Sequence, residues 1–176
     1  LQQARQAVAD ADIRAFSECI RDGGRIFVLG RGHSASLAAL IAMRLSRSGY
    51  PAVDLGALLH QLPEALNQMK GGDVLWLLVF RRASPILREV REVAAARGAK
   101  TLALTDLGVA RIDPAPDHQI AVSRGAAGES QSLVVPMTVA NAVILDLAAI
   151  DGGRSIQALE SFKSFRATAG LSRVLL

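Results

Sequence analysis

Cysteine is nearly absent from this chain: Cys19 is the only one in 176 residues. No internal disulfide can form, which favours a reducing compartment and leaves the fold to its core. Cys19 itself sits in an apolar helical pattern and reads as a small core residue. Aromatic residues are scarce too, at 4% of the sequence, and clusters of Lys and Arg are missing. The basic residues are interleaved with acids, as in Arg88, Glu89, Arg91 and Glu92, so the net charge of +4 describes a solvated surface. Nothing in the chain reads as a nucleic-acid face. No apolar run approaches the roughly 18 residues that would cross a bilayer. Residues 1–21 carry charges throughout and make no signal peptide. These absences point to a cytoplasmic protein with no membrane partner. His33, His60 and His118 lie far apart and lack metal-ligand spacing, so neither a metal nor another cofactor is expected. The chain starts at Leu1 rather than Met, as a piece of a longer protein would.

What is present is material for a core. Hydrophobic residues make up 51% and charged residues 20%, a globular balance at a length that fits one domain, 1–176. Ala9, Ile13, Phe16, Cys19 and Ile20 recur at near-helical spacing over 9–22, until Gly23 and Gly24 stop them. Short apolar strands are expected at Arg25–Leu29, around Ala52–Leu55, and at Val74–Phe80, Thr101–Leu104 and Ile120–Val122. Helices are expected at Ser34–Ser48, Gly56–Lys70, Pro85–Arg97 and Ser132–Ile150, with one more in the polar tail Arg154–Ala167. Apolar strands alternating with helices predict an α/β protein, a three-layer αβα sandwich around a five-stranded parallel sheet with right-handed crossovers. The tail after Gly152-Gly153 is a candidate for packing on a partner chain, and the apolar helix Ser132–Ile150 is either a plain core helix or a dimer face.

The most informative stretch is Ile26-Phe27-Val28-Leu29-Gly30-Arg31-Gly32-His33-Ser34. A strand turns through two glycines directly into a helix. Gly30 and Gly32 are expected to take positive φ and to let the backbone approach a ligand closely. The helix start offers unpaired N–H groups and a positive dipole end, where an anion such as phosphate binds. Ser34 is placed either to cap the helix or to donate to a phosphate oxygen. Two ligands fit this pattern. Gly30-x-Gly32-x-x-Ala35 approximates a dinucleotide fingerprint, with Asp54 as the ribose-binding acid. The alternative is a smaller phosphate site completed by other loops.

The loop after the third strand, Phe80-Arg81-Arg82-Ala83-Ser84-Pro85, favours the second choice. It presents two guanidiniums and a hydroxyl at another helix start, and such loops meet outside the carboxyl ends of the strands. Arginine forks match phosphate or carboxylate.

Together these residues resemble the SIS (sugar isomerase) domain, and in particular the effector domain of RpiR-type transcriptional regulators. The resemblance runs from the first helix to about residue 150. It rests on Gly30-Arg31-Gly32-His33-Ser34 followed by Ala38 and Gly49, and on Gly72-Asp73 before the apolar strand. Gly98-Ala99-Lys100-Thr101 leading to Leu104-Thr105-Asp106, Asp117 before the last strand, and Ser132 at the long helix complete it. It implies a flavodoxin-like strand order and a phosphosugar site formed by Gly30, Arg31, Gly32, His33, Ser34, Arg81, Arg82, Ser84, Thr105, Glu129 and Ser132. One motif departs. Where the family usually has S-x-S-G-x-S/T, this chain reads Val79, Phe80, Arg81, Arg82, Ala83 and Ser84, and only the last hydroxyl survives. Arg81 either replaces hydroxyl donors with a charged fork or closes the pocket by its bulk.

The SIS fold serves both aldose–ketose isomerases and sensors. Isomerisation needs a general base near the sugar carbons, for which His33, His60 and Glu129 are the candidates. None is paired in sequence with an orienting partner, which favours a sensor that binds without turnover. The resemblance then implies a homodimer or tetramer, with DNA contacted only through a domain absent from this chain.

Overall fold

The computed structural model describes residues 8–80, 84–109, 112–125 and 131–169. Five strands form one sheet: β1 (Ile26–Gly30), β2 (Ala52–Asp54), β3 (Val74–Val79), β4 (Lys100–Asp106) and β5 (His118–Val122). Every pairing is parallel, and the order is β2-β1-β3-β4-β5. β1 and β3 are buried at every position, which is why they read in sequence as continuous apolar runs rather than as alternating ones.

Among the described residues six α-helices surround the sheet: α1 (Asp10–Asp22), α2 (Ala35–Arg47), α3 (Leu62–Asn67), α4 (Pro85–Ala96), α5 (Val134–Ile150) and α6 (Arg154–Thr168). Alternate residues of each strand point to opposite faces, and two separate cores result. Phe16 and Ile20 of α1, Leu37, Ile41 and Leu45 of α2, and Val139, Val143 and Leu147 of α5 pack against Ile26, Val28, Trp76 and Leu104. On the other face Ala65, Leu87, Val90 and Ala94 of α3 and α4 pack with Met69 against Phe27, Leu29, Leu75 and Leu77. The three-layer expectation therefore holds. Each fully buried Leu, Ile or Phe contributes about 1.5–3 kcal/mol. An exposed pair such as Arg88–Glu92, at 4.0 Å, contributes roughly 0–1 kcal/mol, so the two cores and not the surface charges hold the fold. Cys19 is half-buried, and burial is the main cause that pushes its thiol up to about 11.

The amino ends of the strands are tied by two aspartates. Asp73 is fully buried and accepts the Arg25 N–H (2.9 Å) and the Lys70 N–H (3.0 Å). Asp117 accepts the Thr101 N–H (2.7 Å) and the Lys100 ammonium (2.9 Å). Both aspartates belong to the motifs singled out in sequence, and here they hold the scaffold at the end opposite the ligand-type loops.

Two expectations change. The helix read over Gly56–Lys70 is only α3, preceded by a 3₁₀ turn at Leu59–Gln61. Pro63 lacks an N–H and its ring blocks a preceding helical turn, so the α-helix starts beside it. The polar tail is a full helix, α6. It leaves α5 through Gly152 and Gly153, both at positive φ, with a bend of 101°. Among the described residues no single helix is long and apolar enough to cross a membrane.

Candidate functional site

The chain leaves β1 for β2 on one side and then returns to β3 on the other side of β1. At such a reversal the two loops diverge and open a crevice outside the carboxyl ends of the strands. The first loop is Arg31–Ser34. Its two glycines do different jobs. Gly32 takes φ +57° with open space around it, so it is needed for its conformation. Gly30 stays within β1 and is absent from the positive-φ set. A Cβ there would sit 2.4 Å from the Ser34 carbonyl oxygen, so Gly30 is needed for a close approach within the chain itself. Ser34 is buried and makes no side-chain cap on α2. Its Oγ accepts the Arg31 N–H (3.0 Å), and the carbonyls of Arg31 (3.0 Å) and Leu78 (3.4 Å) can each take its proton. Ser34 thus closes the loop on itself and ties it to β3.

Above this loop lies a cavity of about 290 Å³, lined by Arg31, His33, Ser34, Leu78, Phe80, Ser84, Leu87, Arg124 and Gln131. That is the lower end of small-molecule sites, the size for a metabolite rather than a dinucleotide. Arg31 and His33 are exposed at its mouth. Ser84 stands at the N-cap of α4, yet its Oγ is buried and makes no hydrogen bond, to the helix or elsewhere, among the described residues. A buried hydroxyl left in this way costs about 1–3 kcal/mol, so an acceptor or donor brought into the cavity would be rewarded.

Arg124, which sequence reading did not single out, forms the opposite wall. It is 6% exposed, lies with its guanidinium 4.5 Å from the Phe80 ring centroid, and is 3.7 Å from Asp106. The wall therefore combines two guanidiniums, an imidazole and two hydroxyls. No carboxylate is among its described residues. Such a set suits an anion with several acceptor oxygens.

The remaining expected residues are scattered. Thr105 is fully buried in β4, and its hydroxyl accepts from the Gln119 amide (3.1 Å), away from the cavity wall. Ser132 is exposed before α5, where its Oγ accepts the Val134 N–H (3.0 Å) and its carbonyl takes the Arg124 Nε–H (3.3 Å). His60 is exposed in the 3₁₀ turn before α3 and does not line the cavity. Asp54 accepts the Gly56 N–H (2.9 Å), closing the turn after β2. Arg81, Arg82 and Glu129 lie outside the described residues. Among the described residues no group of His, Cys, Asp and Glu could hold a metal ion.

Residues 19–146 match the family model of the SIS domain. The chain belongs to the SIS domain family. The fold of this SIS domain is shared with solved structures at low identity. The sugar isomerase domain of an RpiR transcription factor from Sphaerobacter thermophilus superposes with a TM-score of 0.80 at 23% identity, over 93% of this chain and 92% of that one. The NanR protein of Vibrio vulnificus in complex with ManNAc-6P gives 0.80 at 15%, over 96% of this chain and 65% of that one. Phosphoheptose isomerase GmhA of Neisseria gonorrhoeae gives 0.67 at 19%, over 85% and 91%. The search of curated proteins found no match to this chain.

Proposed function

We propose that this SIS domain senses a phosphorylated sugar or a related anionic metabolite, bound in the cavity beside β1 and β3 without turnover. In this reading it is the effector part of a transcriptional regulator that works as a homo-oligomer, and DNA is contacted by another part of the polypeptide. The observation that carries the reading is the cavity wall: Arg31, His33 and Arg124 share it with a buried Ser84 hydroxyl that has no hydrogen-bond partner among the described residues. Phosphate oxygens would satisfy that hydroxyl and would lie beside the guanidiniums of Arg31 and Arg124. The shared fold with a protein in complex with ManNAc-6P supports the same ligand class.

A second reading, an aldose–ketose isomerase, has one specific observation behind it: His33 stands in the cavity wall, where a proton-transferring base would have to be. Calorimetric titration with a panel of sugar phosphates, acidic metabolites and NAD, with product analysis, separates the readings. A sensor binds at least one phosphosugar and returns it unchanged. Arg31→Ala then weakens binding roughly 10- to 100-fold, the loss of one charge-assisted bond. Conversion that disappears in His33→Ala makes the domain an enzyme. Tight NAD binding lost in Asp54→Ala overturns both.

A further inference from the structure

We propose that Arg124 is a further ligand-positioning residue, one that fastens an anion in the cavity to the segment opening α5. The proposal rests on the reading of the cavity as an anion site and extends it. Arg124 follows β5 by two residues and is 6% exposed. A buried guanidinium costs several kcal/mol unless it is paired, so its partners show what it is built to hold. Those among the described residues come from different parts of the fold. Asp106 at the end of β4 lies 3.7 Å away, and Phe80 after β3 lies under the guanidinium plane. Its Nε–H donates to the Ser132 carbonyl and its Nη2–H to the Gln131 carbonyl, both at 3.3 Å. The Ser132 N–H in return donates to the Arg124 carbonyl (3.1 Å).

The side chain of Arg124 thus grips Gln131 and Ser132, and its backbone grips Ser132 again, just ahead of α5. The same guanidinium and Gln131 also line the ligand cavity. On their far side is a second space of about 270 Å³, bounded by Asp106, Leu107, Gly108 and Ser123, in which Arg124 and Gln131 again form wall. The side chain is therefore a partition with a carboxylate behind it and the anion site in front. The two carbonyl bonds are longer than the usual 2.9–3.0 Å, which leaves room for them to tighten. An anion in front of Arg124 orders the guanidinium and, through these bonds, residues 131–132 and the first turn of α5.

Hydrogen–deuterium exchange on the whole chain, with and without saturating inorganic phosphate, reads this coupling. Phosphate should slow exchange at residues 31–36 and also at 131–138, the latter about fivefold or more, the lower end of ordinary coupling between sites. Arg124→Lys keeps a cation but loses the planar fork. At phosphate concentrations that saturate it, slowing should persist at 31–36 and vanish at 131–138. Asp106→Asn removes the competing carboxylate charge while keeping an oxygen for the Gly108 N–H, so phosphate affinity should rise with the slowing at 131–138 intact. This second variant decides the matter should Arg124→Lys fail to fold, because unchanged or weakened affinity there counts against the proposal. Slowing at 31–36 with none at 131–138 in the parent overturns the role of Arg124 and leaves the anion site standing. Slowing at 131–138 retained in Arg124→Lys also overturns it. Absence of phosphate binding overturns both.

Discussion

In the proposed site, Ser84 sets stability against binding in a single side chain. Its Oγ is buried without a hydrogen bond, although the residue occupies the N-cap position of α4, where a serine normally accepts a backbone N–H. Replacing an unsatisfied hydroxyl by hydrogen removes a desolvation cost and loses no bond. Ser84→Ala should therefore leave the ligand-free domain as stable as the parent, or up to about 1 kcal/mol more stable. Phosphosugar affinity should fall in the same variant. Urea denaturation and calorimetric titration check the two halves, and a loss of stability without a loss of affinity would make Ser84 a structural residue. The neighbouring loop shows what sequence can and cannot disclose at this scale. Two glycines and a serine between a strand and a helix single out a loop that the fold places beside a cavity. Which glycine served which purpose was hidden, because Gly30 is required by the Ser34 carbonyl packed against it, and only the folded loop brings the two together. Arg124 was hidden more completely. Ser123-Arg124-Gly125 reads as an ordinary polar loop, and its burial comes from β4, Phe80 and the start of α5 closing around it.

Among the elements, the strands were the most legible, since burial on both faces writes itself as unbroken apolar sequence. The segment before α3 was the least, because Leu58, Leu59 and Leu62 have helical spacing while Pro63 forbids the helix that would use them. Gly152-Gly153 marks the break between α5 and α6 in the sequence, but the lock on that corner comes from elsewhere. The Tyr50 hydroxyl donates to Asp151 (3.1 Å), which also takes the Ser155 hydroxyl (2.5 Å) and N–H (2.9 Å), while the Arg154 guanidinium lies 4.1 Å from the Tyr50 ring centroid. Burial, then the nearby Asp151 carboxylate, push the Tyr50 phenol up to about 12. The folded state thus favours the neutral phenol. Stability from this group is fully present below the unfolded pKa of about 10 and is lost as pH rises from there through the folded value. Burial also raises the Asp151 carboxyl, but its hydrogen bonds from Ser155, Tyr50 and Gly153 outweigh that and hold it below the usual carboxylate range. Its contribution is therefore lost at the other extreme, as pH falls below about 4. Tyr50→Phe should cost about 1.5 kcal/mol at neutral pH and flatten the alkaline loss while leaving the acid loss in place. Thermal melts across the pH range measure both, and an alkaline slope unchanged in Tyr50→Phe would assign it to another group.

At the scale of the molecule, α6 is the element that one chain does not explain. It runs for 15 residues, and Ser155 is its one buried residue. An isolated helix of that length is marginal in water, so most of its stability has to come from packing. Yet Ile156, Leu159 and Phe165 are 57%, 47% and 59% exposed. Val134, Met137 and Leu145 on α5 and Met43 on α2 are exposed as well, and α6 packs against both of those helices. Exposed apolar side chains gathered on adjoining helices mark an association surface. A second copy of the chain is the occupant that fits the proposed homo-oligomer, since a closed dimer uses the same patch twice. The polar, charged sides of α6, with Glu160, Lys163 and Arg166, would then form the rim around an apolar centre. The domain should sediment as a dimer at micromolar concentration. Leu145→Lys combined with Phe165→Lys should convert it to a monomer, because two cations cannot be buried unpaired at such a centre. Each side chain is more than half exposed in the single chain, so neither change should disturb the two cores by more than about 0.5 kcal/mol. Helical circular dichroism should nonetheless fall by about the content of α6, which loses the surface that orders it. A parent that sediments as a monomer with α6 intact, or a double variant that remains dimeric, would remove α5 and α6 as the contact and leave the helix to be held by some other part of the polypeptide.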